Sequence, residues 1–313
     1  MRRYLCVALL SVSVIHYSLA TDHNLLKEKH QVYLKPGDTT KKATDTASDD
    51  DVKVRIFKIS VEGASDQTNH GLHNAATKLP YLEPSFTYMA KSGFFIGTSD
   101  QFLLVKKDGG FDVLGINPGW DVDITDNTSF DFNYQYYHFK AKTPDLVRSS
   151  LNSDIESYIS QDLGDFTGKL TVDYDIYSAI KGQPKTPNDF VFTPDIRYFF
   201  DKHFGKKSAI IIMPEVSLDL GTRNFYTQYE NNTITDSNTN NLKVKRKLLA
   251  GNSNSSFGAL DYNLILTLKY KIGKFDIKPA FTYTDPLYKT PGTSNSPTAF
   301  GTISLDYLIE SKK

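Results

Sequence analysis

The chain is dominated by stretches in which apolar and polar residues alternate one for one. In the clearest stretch, Phe130, Phe132, Tyr134 and Tyr136 are separated by single polar residues. A period of two places the apolar side chains on one face of a β-strand and the polar ones on the other. The pattern recurs near residues 130–136, 170–176, 192–200, 215–220, 260–270, 275–283 and 303–309. It predicts an all-β, antiparallel fold.

The connections between these stretches alternate between short and long. Residues 125–127 and 271–274 read as tight turns, whereas 222–255 and 285–296 are long and rich in Asn, Ser, Thr and Gly. Short periplasmic turns and longer outer loops are typical of outer-membrane β-barrels. Further strands are predicted near 82–90, 93–105, 111–124, 150–162 and 52–56, and both termini of such a barrel face the periplasm. About twelve strands are therefore expected, with ten as the alternative; 151–163 also fits one face of a helix.

The N-terminal region differs in composition from the rest of the chain. Residues 1–20 carry Arg2 and Arg3, an apolar centre and small residues at the end, which predicts a secretory signal peptide. Residues 21–51 are polar and are expected to form a disordered periplasmic leader. The transmembrane barrel is then expected to span 52–310. The single cysteine, Cys6, lies inside the signal, so the exported chain is predicted to lack disulfides.

A polar and an apolar face also suit a soluble β-sandwich, so the choice between the two folds rests on other features. The strands reach the ~9–11 residues that a tilted membrane span needs. After the signal, no apolar run approaches the ~18 residues of a membrane helix. Aromatic residues recur at strand ends, where interfacial girdles would lie, at Trp120, Tyr136, Tyr137, Phe199, Phe200, Tyr226, Tyr270 and Tyr283. The expected location is the cell outer membrane, with outer-membrane lipid as a partner. The net charge of zero does not favour nucleic acid.

Two segments resemble a known group of proteins. The run Tyr81–Tyr88, followed by Lys91–Ile96, resembles the opening of uncharacterised outer-membrane β-barrel proteins of the Bacteroidetes. The run 279–286, with the final strand 299–309, is similar to their closing hairpin. The resemblance spans roughly residues 80–309 and implies a barrel but no activity. One departure is the end of the chain, because such barrels usually finish on an aromatic residue and here Glu310 to Lys313 follow the last strand.

The alternation also predicts which charged residues face the lumen. In a membrane barrel the apolar face meets lipid and the polar face lines the interior. The predicted inward bases are Lys53, Arg55, Lys169, Arg197, Lys269 and Lys278. The predicted inward acids are Glu83, Asp121, Asp123, Asp131, Asp154, Glu156, Asp173, Asp175, Asp195, Glu215, Asp219, Asp261, Asp276 and Asp306. Because acids outnumber bases, any pore is expected to prefer cations.

No motif in the chain predicts a catalytic, cofactor or metal site. No phosphate loop, zinc motif or nucleophile elbow is present. His70 and His73 lie three apart in a predicted loop and would need further ligands to hold a metal. His138 is expected at a membrane interface. We expect an outer-membrane barrel that passes small polar solutes or cations. The alternatives are a structural or interaction barrel without a pore, whose loop 222–255 meets partners, and an outer-membrane hydrolase.

Overall fold

The alternating stretches form the strands of one closed antiparallel sheet. The computed structural model describes residues 55–66, 68–69, 72–73, 80–104, 110–139, 151–178, 188–204, 208–222, 224, 257–287 and 297–311. The first six strands are β1 (Arg55–Ala64), β2 (Tyr81–Met89), β3 (Phe94–Leu103), β4 (Gly110–Thr125), β5 (Thr128–Phe139) and β6 (Leu151–Leu163). The other six are β7 (Phe166–Tyr177), β8 (Asp189–Tyr198, continued by Phe200–His203), β9 (Ser208–Gly221), β10 (Gly258–Ile272), β11 (Phe275–Pro286) and β12 (Thr298–Ser311).

Every strand pairs with its neighbours in the chain, and the first pairs with the last. β1 runs antiparallel to β12, with Arg55 opposite Ser311 and Ala64 opposite Thr302. Both parts of β8 pair with β9, so the break at Phe199 does not open the sheet. The result is a closed barrel of twelve strands, which confirms the larger of the two predicted counts. The ambiguous stretch 151–163 is strand β6, paired on both sides.

The turns lie at one end of the barrel and the long connections at the other. Two-residue turns join β4 to β5, β6 to β7 and β10 to β11. Gly164 and Gly273 in two of these turns have φ values of 75° and 62°, which side chains with a Cβ rarely adopt. The two chain ends of the barrel, Arg55 and Ser311, lie at this same end, which identifies it as the periplasmic end of an outer-membrane-type barrel.

The two faces of the sheet differ sharply in chemistry. Leu266 on the outer face is 49% exposed and Trp120 is 51% exposed, whereas Lys269 on the inner face is 2% exposed. Aromatic pairs lie on the outer face near the periplasmic ends of the strands, including Phe94 with Trp120 at 5.0 Å and Phe275 with Tyr307 at 4.7 Å between ring centroids. An apolar exterior with aromatic girdles around a polar interior is the pattern of a barrel in the outer membrane.

Two sequence predictions on the faces are wrong. Arg55 is exposed and shares the outward face of β1 with Ile59, while Lys58 and Ser60 are buried inside. The alternation changes phase between Ile56 and Phe57, and the longer stretch that follows decides the orientation. Tyr137 was expected in a girdle but is buried and donates a hydrogen bond to Asp154 at 3.0 Å.

Several predictions fall outside the described residues. These are the signal peptide 1–20, the leader 21–51, Lys53, Tyr226, the side chains of His70 and His73, and most of the long loops 222–255 and 285–296. A two-stranded pair, Thr68–Asn69 with Leu72–His73, lies between β1 and β2. No helix among the described residues is long and apolar enough to cross a membrane.

Candidate functional site: the barrel lumen

The candidate site is the inner face of the barrel, where the alternation brings the charged side chains together. Of the acids predicted to face inward, Glu83 is half-buried and Asp123 is exposed. Asp123 lies two residues beyond buried Asp121 on the same face, at the periplasmic end of β4. The other twelve are buried, namely Asp121, Asp131, Asp154, Glu156, Asp173, Asp175, Asp195, Glu215, Asp219, Asp261, Asp276 and Asp306.

The predicted bases of the later strands also lie inside the barrel. Arg197, Lys269 and Lys278 are buried, and Lys169 has a side chain only 8% exposed. The sequence interpretation missed Lys58, because it extended the phase of 52–56 into β1. It also missed the buried acids Asp112 and Asp189, which lie at the outer ends of β4 and β8, next to the loops. The signal for Lys58 was present, since it precedes the alternating pair Ile59 and Val61.

Five described bases face the lumen, and all five lie on strands β7 to β12 and β1. On β11 and β12, Lys278 Nζ lies 2.7 Å from Asp306 Oδ2, and Lys58 Nζ on β1 lies 3.7 Å from the same oxygen. Lys269 Nζ lies 3.5 Å from Asp276 Oδ2. Ser60 donates a short hydrogen bond to Asp306. Pairing and hydrogen bonding offset the cost of holding these charges away from water.

The same arrangement continues on β7, β8 and β9. Lys169 Nζ lies 3.4 Å from Asp195 Oδ2, and Arg197 Nε donates to Glu215 Oε2 at 2.6 Å. A second guanidinium nitrogen of Arg197 contacts the same carboxylate. These contacts form four separate ion-paired groups. We call their nine side chains the ion-paired belt: Lys58, Lys169, Asp195, Arg197, Glu215, Lys269, Asp276, Lys278 and Asp306.

A second group of buried acids lies nearer the outer end of the barrel. Asp173 and Asp175 lie four and six residues beyond Lys169 along β7, and Asp219 lies four residues beyond Glu215 along β9. Their side chains also hydrogen-bond to neighbours, as when Tyr177 donates to Asp175 at 3.0 Å. We call this group the outer acidic zone: Asp112, Asp154, Glu156, Asp173, Asp175, Asp189, Asp219 and Asp261. No lysine or arginine is buried beside it among the described strand residues.

Three of these acids come close enough together to raise the question of a metal ion. One carboxylate oxygen each of Asp154, Asp173 and Asp175 lies within 4.8 Å of the others. Tyr137 and Tyr177 donate hydrogen bonds to two of them. Two of the three carboxylates thus have tyrosine donors beside them. Carboxylates in an acidic lumen also come together without a metal, so the proximity of these three does not by itself identify a metal site.

The strands β3, β4 and β5 present a different inner surface, which we call the amide wall. Its inward side chains include the amides Gln101, Asn117, Asn133 and Gln135, all buried, and the glycines at 97, 115 and 119. Asn133 Nδ2 donates to Glu156 Oε1 at 3.0 Å, which joins this wall to β6. No lysine or arginine faces inward from the described residues of these three strands.

The described histidines lie away from the lumen centre. His138 is exposed on the outward face of β5, one residue before the strand ends. His203 is exposed at the periplasmic rim, where its Nε2 lies 2.9 Å from Asp201 Oδ2. Neither position places an imidazole beside the buried acids.

Comparisons with known proteins give similarity in architecture only. No family model and no curated protein matches the chain, so the resemblance to Bacteroidetes barrels stays a prediction. Among solved structures, the chain is similar to the KdgM porin (11% identity, covering 80% of this chain and 98% of that one, TM-score 0.41) and the NanC porin (9%, 81% and 98%, 0.41). It is also similar to LpxR from Salmonella typhimurium (7%, 80% and 99%, 0.41). At this level of similarity the function has to be argued from the chain's own residues.

Proposed function

We propose that the protein is a narrow outer-membrane channel for small polar solutes and ions, with a preference for cations. The observation that supports it is the imbalance of buried charge inside the barrel. The described strands bury fourteen acids inside, made up of the outer acidic zone, the four acids of the belt, Asp121 and Asp131. Five bases face them, so fourteen minus five leaves nine excess acids. Low-dielectric walls focus such a field, and rings of Asp and Glu favour cations.

The proposal is tested by reversal potentials in planar lipid bilayers. The refolded full chain is expected to carry current and to pass K⁺ more readily than Cl⁻ across a KCl gradient. The preference is expected to weaken at 1 M salt, where the Debye length falls to about 3 Å. An anion-selective current would contradict the proposal.

A matched pair of variants locates the preference in the lumen. Asp261→Asn removes a buried charge of the outer acidic zone and is expected to lower the K⁺/Cl⁻ permeability ratio. Asp126→Asn changes an exposed carboxylate in the turn between β4 and β5 and is expected to leave the ratio unchanged. Equal K⁺/Cl⁻ permeability ratios in the two variants would mean that the buried lumen acids do not cause the cation preference.

The second candidate function is a structural barrel without a pore. It is favoured by the burial of most inward side chains, which shows that they occupy much of the lumen. Barrels of about eight strands are filled by side chains and those of about 16–18 leave a channel, so twelve lies between the two. Absence of any conductance from correctly folded protein would favour this candidate over the channel.

A further inference from the structure

A groove on the lipid-facing side of the barrel lies over β9 and the two strands beside it. It has a volume of about 470 Å³. The side chains at its centre are Ile196 and Tyr198 on β8, Pro214 and Val216 on β9, and Leu264 and Leu266 on β10. Ile196, Val216 and Leu266 are each about half exposed. Apart from the tyrosine hydroxyl, these side chains are apolar, so the groove suits a hydrocarbon.

The groove forms because the middle strand carries the shortest side chains. Val216 on β9 lies opposite Ile196 on β8 and opposite Leu264 on β10. Val216 and Pro214, which share the outward face of β9, are both shorter than these neighbours. Gly168 on β7 lies opposite Ile196, and a Cβ there would meet nothing within 4 Å. The outer face is therefore recessed along β9 and again beside Ile196.

Aromatic rings and a lysine lie between the groove and the periplasmic rim. On the outward face of β8, Tyr198 is followed by Phe200 and Lys202. The ring centroid of Tyr198 lies 4.2 Å from that of Phe200 and 4.6 Å from that of Phe166. Lys202 Nζ lies 5.6 Å from the centre of the Phe204 ring. Rings and lysines placed in this way are typical of the membrane interface, where the ammonium group meets lipid headgroups.

The distance from the groove to Lys202 matches the depth of one lipid leaflet. Tyr198 and Ile196 lie four and six residues before Lys202 along β8. At ~3.4 Å per residue and a strand tilt of ~40°, these separations are about 10 and 16 Å along the membrane normal. One leaflet of the hydrocarbon core is about 15 Å thick, half of the whole core. An acyl chain in the groove would therefore place its headgroup at Lys202.

The acids nearest to Lys202 have partners of their own. Asp165, in the turn between β6 and β7, accepts a hydrogen bond from the Tyr198 hydroxyl at 3.3 Å. Asp201 lies 2.9 Å from His203 Nε2, and both of these residues alternate with Lys202 along β8, which places them on its other face. The charge that the lipid face of β8 offers at the rim is therefore positive.

The opposite side of the barrel offers a different rim. Trp120 lies on the lipid face of β4 near its periplasmic end. Asp123 and Asp126 follow it along the chain, and no lysine or arginine occurs among the described residues of β4 and β5. Lys91, in the turn between β2 and β3, is the nearest base in that part of the rim. Acids outnumber bases there, so an anionic headgroup is not favoured.

We propose that the groove over β9 is a binding site for an anionic phospholipid of the periplasmic leaflet. One acyl chain lies against Pro214 and Val216, and the phosphate is held by the ammonium group of Lys202. The shape of the groove selects a flexible hydrocarbon chain, and the lysine selects a negative headgroup. This inference concerns the lipid face and goes beyond the proposed channel.

Quenching of tryptophan fluorescence by brominated lipids tests the site. The reporter chain carries Trp120→Phe and Phe281→Trp, which places its only tryptophan at the edge of the groove. It is folded into phosphatidylcholine vesicles that contain dibrominated phosphatidylglycerol or, in equal amount, dibrominated phosphatidylcholine. The brominated phosphatidylglycerol is expected to associate about fivefold more strongly, the ratio equivalent to the ~1 kcal/mol that one lysine contributes near an anionic surface. Adding Lys202→Gln is expected to bring this ratio close to one.

Matched variants separate the groove from general effects of lipid and charge. Val216→Phe fills the groove and is expected to abolish the preference, whereas Val122→Phe on the lipid face of β4 is expected to leave it unchanged. Lys91→Gln removes a lysine from the opposite part of the rim and is also expected to leave it unchanged. In the wild-type chain, Trp120 reports on that opposite part and is expected to show a ratio close to one.

The possible outcomes support or overturn the site whether or not the barrel conducts. A ratio close to one at the groove reporter, or a ratio that Lys202→Gln does not lower, would overturn the phospholipid site. A reporter that neither brominated lipid quenches, in a chain that sediments as a dimer in detergent, would show that a second copy of the chain covers the groove and would overturn it as well. Conductance is measured separately, so failure of the channel and failure of the lipid site are distinguished.

Discussion

The two sides of the lumen reach stability by different means. The strands β7 to β12 and β1 carry bases and acids that cross-link neighbouring strands. The inner faces of β3 to β5 carry amides, hydroxyls, glycines and the acids Asp112, Asp121 and Asp131, but no lysine or arginine among the described residues. Charged pairs in a low-dielectric interior are strong only while every partner is present. Amides over glycines are weaker individually but can exchange a protein partner for water. One side of the barrel is therefore cross-linked by charge, whereas the other side is held by contacts that involve no lysine or arginine.

Removing one partner of the ion-paired belt gives the largest expected effect. Lys278→Met leaves buried Asp306 with Lys58 at 3.7 Å as its remaining cation in the belt. Breaking a buried pair in this way costs about 3–5 kcal/mol in the free energy of unfolding. Urea unfolding from lipid vesicles, followed by the fluorescence of Trp120, the single tryptophan, measures it.

Two controls accompany this measurement. The double variant Lys278→Met, Asp306→Asn removes both charges and is expected to recover part of the loss. Gln135→Met replaces an amide of the amide wall by an apolar side chain of similar length and is expected to cost clearly less than Lys278→Met. A loss at Gln135 as large as that at Lys278 would mean that the two sides do not differ.

The next effect compares the two faces of β10 within the charged side of the barrel. Leu266 is 49% exposed on the outer face at mid-strand, and its neighbour Thr267 is only partly exposed and points inward. Leu266→Arg is expected to cost about 2–4 kcal/mol, as for a charge placed on the lipid face near the midplane. Thr267→Arg faces a lumen rich in acids and is expected to cost much less. Equal losses in vesicle unfolding would show that the assigned faces are wrong.

The period-two pattern was sufficient to predict the strands and most of their faces. The stretches from Phe130 to Tyr136 and from Leu264 to Tyr270 each keep one phase of alternation throughout. Only one orientation of these strands therefore places their apolar side chains on the outer face. In β1 the alternation changes phase between Ile56 and Phe57. The local pattern therefore did not show which of the two phases faces the lumen, because that is set by the strands with which β1 pairs. Because both ends of such a barrel face the periplasm, the number of strands must be even, and this parity predicted the twelfth strand.

The partners inside the lumen could not be predicted from the sequence. Lys278 meets Asp306 because β11 pairs with β12 in a register that sets Asp276 opposite Asp306. Such a register depends on turn length and bulges over the whole barrel, which no local pattern contains. The contact of Asn117 with Gly97 could not be predicted from the sequence either, because the two residues lie opposite each other only once β3 and β4 are paired.

A smaller effect is expected from closing the space over a glycine of the amide wall. A Cβ on Gly119 would lie 2.3 Å from Phe95 Cζ and 2.6 Å from the backbone oxygen of Phe132. Gly119→Ala forces a shift of the backbone and is expected to cost about 1–3 kcal/mol, as overpacking does. Gly168→Ala, with open space around its Cβ, is the matched control and is expected to change little. Equal free energies of unfolding for the two variants would mean that the close approach of Phe95 and Phe132 to Gly119 does not contribute to stability.

The smallest effect compares one neutral hydrogen bond on each side of the lumen. Ser129 and Ser160 lie 2.7 Å apart between β5 and β6, and Thr284 donates to Asn263 Oδ1 at 2.5 Å between β10 and β11. Ser129→Ala and Thr284→Val are each expected to cost about 0.5–1.5 kcal/mol, because neutral hydrogen bonds contribute similarly wherever both partners are buried. Vesicle unfolding of the two variants gives the baseline for the larger effects. A loss at Thr284 near that of Lys278→Met would mean that burial on that side, and not charge pairing, makes its contacts costly to break.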